Sequence, residues 1–337
     1  MSAKKALITG ISGQDGSYLT KLLLDKGYRV FGLVRRSVDR SLKNLEDMGV
    51  VDKIEYADGD LTDECSVMKA VKSIRPDEVY NLGAQSFVGT SWDNPILTTE
   101  VNALGPLKLL NALRYFHPTA RYYQASTSEM FGNSHDKGLQ TEQTPFHPRS
   151  PYAISKLYGH WITINFRESF GMFAVSGILF NHESPLRGPE FVTRKITMGV
   201  AKIKHGLANE ILLGNLDSKR DWGFAGDYVE AMWLMLQQKE PKDFLISTGE
   251  THSVREFLEL AFKRVGITDW EKHVKIDPKF MRPADVFALH GHSASAGKEL
   301  GWKPKVSFEK LVEMMVDADL KRVENSARAD RVVEAII

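Results

Sequence analysis

The chain has 337 residues, with 44 Lys and Arg against 43 Asp and Glu, 42% hydrophobic residues and one cysteine. That length suggests about two domains, or one large α/β domain carrying a lobe. A net charge of +1 offers no basic stripe for a phosphate backbone, so nucleic acid is not an expected partner. The lone Cys65 excludes an intrachain disulfide and any cysteine-based zinc or iron–sulfur centre, and its acidic neighbours disfavour a reactive thiolate. No metal is expected.

The N-terminus runs from Met-Ser-Ala-Lys-Lys directly into a strand pattern, without the apolar core of a signal peptide. No stretch approaches the roughly 20 apolar residues that span a bilayer, so a cytoplasmic location without membrane partners is expected.

In chain order, strands are predicted at Lys5–Thr9, Arg29–Val34, Ile54–Ala57, Glu78–Leu82, Arg121–Ala125 and Ala174–Leu179. Helical patterns separate them at Gly16–Lys26, Thr62–Ile74, Thr98–Phe116 and Ser150–Ser169. Strands alternating with helices imply right-handed βαβ units: an α/β fold with a Rossmann-type, doubly wound parallel sheet. After residue 180 the rhythm loosens, with helices at Val192–His205, Gly226–Gln238, Val254–Val265 and Phe308–Glu324. The expected division is a dinucleotide-binding domain over 1–180, to which 226–247 returns, and a smaller C-terminal α/β substrate lobe over 181–337.

Gly10-Ile-Ser12-Gly13-Gln14-Asp15-Gly16 follows the first strand and opens the first helix. Glycines here let a backbone approach a pyrophosphate, and the helix N-terminus presents amides and positive partial charge to it. After the second strand, where an NAD site would place an acidic residue, the chain reads Arg35-Arg36-Ser37. Two guanidiniums suit a 2′-phosphate and favour NADP, although a solvated basic loop would read the same way.

Ser150-Pro151 is a helix start, with Ser as N-cap and Pro at the first helical position. Tyr152 and Lys156 then share one face at i and i+4. An adjacent ammonium is expected to lower the tyrosine pKa and make it a base. The fifth strand leads into Ser126-Thr127-Ser128-Glu129. Hydroxyls there can bond a reacting oxygen, and Glu129 exceeds what simple alcohol oxidation needs. A carboxylate is what proton removal beside a carbonyl requires.

These motifs, with Asn181-His182-Glu-Ser-Pro-Leu-Arg187-Gly, Phe191-Val-Thr-Arg-Lys195 and Lys219-Arg220-Asp-Trp-Gly-Phe-Ala-Gly-Asp-Tyr228, resemble the GDP-mannose 4,6-dehydratases. These are a branch of the extended short-chain dehydrogenase/reductases. The resemblance implies an NADP-dependent hydro-lyase acting on GDP-mannose, with Thr127, Glu129, Tyr152 and Lys156 as catalytic residues. It places Asp60 and Leu61 at the adenine end of the cofactor, and Leu82, Gly83, Ala84, Gln85 and Ser86 along it. Ser86 also reaches the hexose, and His182 and Arg187 meet the nicotinamide half and the phosphates. Asn181, Lys195, Asn215, Arg220, Arg282 and Asp285 are expected to hold GDP-mannose. The family pattern near the C-terminus has Glu, Asp and Lys where this chain has Asp285, Phe287 and Ser295, which is expected to weaken the nucleotide-ribose contact.

The resemblance further implies a homotetramer, a dimer of dimers, formed through the two long helices and the Arg-Arg-Ser loop. Two other readings stay open from the residues. A sugar-nucleotide 4-reductase or 4-epimerase shares Tyr152 and Lys156 without needing Glu129. A non-catalytic NADP-binding regulator would keep only the glycine turn.

Overall fold

The computed structural model describes residues 3–35, 41–133, 138–281, 284, 286 and 288–334, with side chains to residue 326. A sheet of seven parallel strands forms its centre: β1 (Lys5–Thr9), β2 (Arg29–Val34), β3 (Glu55–Asp58), β4 (Glu78–Asn81), β5 (Arg121–Thr127), β6 (Ala174–Leu179) and, after β7 to β10, β11 (Phe244–Ile246). The spatial order is β3-β2-β1-β4-β5-β6-β11. Strand order reverses between β1 and β4, and that crevice is where open α/β sheets take their ligands. β5 and β6 are buried almost throughout, as expected for parallel strands covered by helices on both faces.

Helices α1 (Gln14–Asp25), α2 (Lys43–Asp47), α3 (Glu64–Ile74), α4 (Thr90–Asp93), α5 (Pro95–Thr99), α6 (Gly105–Phe116) and α7 (Pro151–Phe170) connect the first six strands. The second half contributes α8 (Val192–Lys204), α9 (Ala225–Gln237), α10 (Val254–Arg264), α11 (Ala294–Leu300) and α12 (Phe308–Glu334). Short strand pairs link this half: β7 (Asn181–Glu183) with β10 (Trp222–Phe224), β8 (Ile211–Leu213) with β13 (Val274–Ile276), and β9 (Lys219–Arg220) with β12 (His252–Ser253). One apolar core joins α1 and α9 to one sheet face, a second lies under α3 and α6, and a third gathers α8, α10 and α12. Among the described residues, no helix is long and apolar enough to cross a membrane.

Local chemistry explains the ends that matter. Ser150 Oγ accepts from Ala153 N at 3.1 Å and Pro151 fills the first turn, so α7 starts where that sequence signal lies. It stops at Gly171, whose φ of +64° suits glycine.

Four expectations change. β5 runs two residues past Ala125, carrying Ser126 and Thr127 out to the sheet's edge. β3 starts one residue later than expected, at Glu55. The single helix expected over Thr98–Phe116 is instead α5, a π-helical turn at Glu100–Leu104, and α6. Pro106 causes the break, because its ring removes an amide and crowds the carbonyl four residues back. α12 also outruns the expected Glu324, reaching Glu334.

Candidate active site

The carboxyl ends of β1, β4, β5 and β6 open into a cavity of about 690 Å³, closed on its far side by residues of the second half. Thr127, Glu129, Tyr152 and Lys156 all line it, and each is less than a tenth exposed. β5 delivers Thr127, whose Oγ1 accepts from Glu129 N at 3.3 Å as the chain turns into the short helix Ser128–Phe131. That bond leaves the Thr127 hydroxyl proton free to be donated to the Tyr152 oxygen. Lys156, one turn along α7, donates to Ala125 O at 2.8 Å.

The electrostatics differ from the sequence expectation. Burial pushes the Tyr152 phenol up to about 12, the Thr127 hydrogen bond offsetting only part and Glu129 adding to the rise. Burial also lowers the Lys156 ammonium to about 8, with partial relief from Asp15. The expected lowering of the tyrosine by the lysine is therefore absent in the unliganded protein. Desolvation penalises both charged forms and is the largest influence on each.

The glycine turn lies at the strand-order reversal. Gly10 takes φ +68°, and a Cβ there would stand 2.7 Å from Gly83 N, so β1 and β4 approach as closely as they do only with glycine. A Cβ on Gly16 would stand 2.4 Å from Gly10 O, and Gly13, the N-cap of α1, supplies no side-chain cap. This cradle fits a dinucleotide pyrophosphate. A second sign of an intended ligand is Asn181 Oδ1, buried without a hydrogen-bond partner at the cavity wall.

The remaining expected residues fall into three groups. Asp15, Leu82, Ala84, Ser86, Asn181, His182, Arg187, Lys195, Asn215 and Arg220 line the same cavity as the catalytic four. Around it, Ser12 O accepts from Asn44 Nδ2 at 3.1 Å, and Gln14 Nε2 donates to His182 O at 3.0 Å. Asp60 Oδ1 accepts from Thr62 N at 2.9 Å, while Leu61 is buried beneath Gly83 and Gly105. Arg35, just after β2, is exposed. Arg36, Ser37, Arg282, Asp285 and Phe287 lie outside the described residues.

The cations expected to meet phosphate are held by aromatic rings. Lys195 Nζ lies 3.3 Å from the Phe280 ring centroid, and Arg187 lies 3.6 Å above Phe191 with Glu183 at 3.1 Å. Burial, then Lys279, lowers the Lys195 pKa. Arg220 is buried and donates to Lys219 O at 2.8 Å, and Asn215 Oδ1 accepts from Asp217 N at 2.9 Å.

Sequence reading missed Asn102. It sits on the π-helical turn, where its Oδ1 accepts from Gln85 N and its Nδ2 donates to Gln85 O, both at 2.9 Å. It thus pins the segment expected to run along the cofactor, and the nearby Gly-Pro pair was the only hint that the helix bends here. A buried chain was missed as well: Gly83 N donates to Thr9 Oγ1, which donates to Asn81 Oδ1 at 2.6 Å, and Asn81 Nδ2 donates to Gln124 Oε1 at 2.8 Å. It ties the tips of β1, β4 and β5 together beneath the cavity.

A family model described as GDP-mannose 4,6 dehydratase matches residues 7–315. The chain belongs to the GDP-mannose 4,6-dehydratase family. It is 52% identical over 330 residues to GDP-mannose 4,6 dehydratase 1 of Arabidopsis thaliana, covering 94% of this chain and 90% of that protein. With the GDP-mannose 4,6 dehydratase of Homo sapiens it shares 48% over 348 residues, covering 96% and 93%. Among solved structures, UDP-glucose 4-epimerase of Thermus thermophilus in complex with NAD superposes with a TM-score of 0.81 at 28% identity, covering 94% of this chain and 98% of that one. Family membership and the shared fold thus agree with the cavity's position at the carboxyl edge of the sheet.

Proposed function

We propose that this chain dehydrates GDP-mannose to GDP-4-dehydro-6-deoxy-mannose with NADP as its resident cofactor. One observation carries the reading: a buried carboxylate, Glu129, faces the same cavity as Thr127, Tyr152 and Lys156 in a chain of this family. The cofactor supplies a hydride acceptor for C4 of the hexose and a donor for C6. Tyr152 removes the C4 hydroxyl proton, and Thr127 donates a hydrogen bond to the C4 oxygen. Once C4 is a ketone, the C5 proton is acidic, and Glu129 removes it. The same carboxyl then protonates the C6 hydroxyl so that it departs as water, and hydride delivery to C6 is matched by return to C5 of the proton Tyr152 took from the C4 hydroxyl.

NADP is preferred over NAD on the strength of the sequence Arg35-Arg36-Ser37, where an NAD site would carry an acidic residue. Lys195, Asn215 and Arg220 line the cavity and would face the nucleotide diphosphate; Arg282 and Asp285 are assigned to the same substrate by the family motif alone. Residues 1–180, with α9 and β11, form the cofactor-binding domain, and the rest is the sugar-nucleotide lobe.

The exposed apolar side chains of α5, α6 and α7 favour a subunit contact. Ile96, Tyr115, Ile154 and Trp161 are each more than half exposed, more apolar surface than solvent-facing helices carry by chance. A homotetramer follows if a second contact forms at the Arg35 loop.

The deciding experiment is Glu129→Gln. Expected is a loss of product, read by mass spectrometry as disappearance of the species lighter by one water, of at least about a hundredfold. GDP-mannose and NADP should still bind. Near wild-type dehydration by this variant would overturn the mechanism and return the reading to a 4-epimerase or 4-reductase.

A further inference from the structure

Asp15 and His182 meet across the seam between the glycine turn and β7. His182 Nε2 lies 2.7 Å from Asp15 Oδ2, and His182 Nδ1 lies 2.7 Å from Phe180 O. A carbonyl oxygen can only accept, so Nδ1 must carry a proton. With one proton placed there, a neutral ring would turn the lone pair of Nε2 onto a carboxylate. The arrangement is satisfied only when both nitrogens are protonated, or when Asp15 is.

The surroundings favour the ion pair. The ring stacks on Tyr228 of α9 at 4.7 Å, so it cannot rotate away without breaking that packing. Gln14 Nε2 donates to Asp15 Oδ1 at 3.0 Å, which stabilises the carboxylate. Burial works against both charges, yet each holds the other ionised: Asp15 titrates below its ordinary range and His182 above its own. The other titratable groups around the pair are Arg187 on the segment after β7, Tyr123 on β5, Tyr152 and Lys156 on α7, and Asp221, Asp227 and Glu183 facing Tyr228.

The position gives this pair a consequence. Asp15 occupies the first turn of α1, the helix end that fits a pyrophosphate, and a bare carboxylate there would repel the ligand's negative charge. We propose that His182 is a positioning residue held as an imidazolium, which neutralises Asp15 and so keeps the glycine turn receptive to a dinucleotide pyrophosphate. It also fastens the turn to the lobe, because Gln14 and Ser184 continue the seam through Gln14 Nε2–His182 O and Ser184 Oγ–Gln14 Oε1 at 3.0 and 2.8 Å. The inference rests on the dinucleotide reading above, and it explains why an acidic residue is tolerated inside the turn.

Two measurements test it. In the unliganded wild-type protein, the ring ¹⁵N shifts of His182, assigned by difference from His182→Asn, should show an imidazolium at pH 7.5. A neutral tautomer there overturns the proposal whether or not the protein binds NADP. NADP⁺ titrations of the variants then separate charge from scaffolding. His182→Asn leaves Asp15 unneutralised and should raise Kd by about tenfold or more. Asp15→Asn should raise Kd less than His182→Asn does, because a neutral His182 can then accept from the amide. The double variant should recover to the level of Asp15→Asn. Equal losses in both single variants, or no recovery in the double, mark a purely structural seam and overturn the proposal. If wild type itself binds neither NADP nor NAD, the proposed function fails instead, while the ring protonation remains a separate result.

Discussion

Lys156 and Tyr152 show what burial does to two groups that a sequence motif pairs as base and helper. With its ammonium depressed to about 8 against an ordinary value of 10.5, Lys156 favours deprotonation in the folded chain. Between those values the unfolded chain binds the extra proton, so this residue's contribution to stability rises with pH. Below pH 8 both states are charged, and the buried ammonium destabilises the fold to its full extent. Lys156→Met should therefore stabilise the unliganded protein relative to wild type at pH 7, by up to about 3 kcal/mol, with the gain shrinking towards pH 10. Denaturant melts at several pH values would show this, and a gain independent of pH would contradict it. Tyr152, raised to about 12, stays a neutral phenol through the same window.

Among the elements, the interrupted helix from Pro95 to Phe116 has the clearest functional consequence. Its π-helical turn aims Asn102 at Gln85, satisfying an amide and a carbonyl on a loop that no strand or helix holds. Close packing fixes this bend, since a Cβ on Gly159 of α7 would meet Asn102 O at 3.0 Å. Asn102→Ala strands both backbone groups and should cost about 2–4 kcal/mol, measurable in urea melts, with a larger KM for NADP than for GDP-mannose. Asn102→Asp keeps the acceptor, loses the donor and should fall between the two. A melt unchanged by the alanine variant would show that water replaces both bonds.

At the scale of the molecule, two halves share one cavity, and within the second half buried polar contacts hold its helices in register. Arg194 donates to Asp319 at 2.8–2.9 Å and to Pro185 O and Arg187 O, joining α8, α12 and the segment after β7. Breaking such a buried pair from one side is expected to cost about 3–5 kcal/mol, because the remaining charge is left unpaired. The outer surface of α5 to α7 belongs to this scale too. If the proposed subunit contact forms there, replacing Ile154 and Trp161 together by Asp should give monomers in light scattering while leaving the fold intact by circular dichroism. A wild-type monomer at micromolar concentration would remove the basis for a tetramer.

Much of this protein could be read from its residues because local physics carries the signals. Glycines at 10, 13 and 16 after a strand, Ser150-Pro151 before a helix, and Tyr152 with Lys156 at i+4 depend on neighbours within a few positions. The alternation of strands and helices settles the α/β class in the same way, since a parallel strand needs a crossover. Family motifs spread over the whole chain carried the reaction. What chain-local reasoning could not reach depends on residues distant in sequence. Asn102 finds Gln85 only because Pro106 forces a bend, and β5 extends to Thr127 because β6 pairs with it to the end. His182, read from its motif as a cofactor contact, lies 2.7 Å from Asp15, 167 residues away. The balance of desolvation against attraction at Tyr152 and Lys156 was likewise invisible, for burial is a property of the folded whole. Spacing determined which groups could cooperate; tertiary packing decided their charges and their partners, because both depend on how much water the fold excludes.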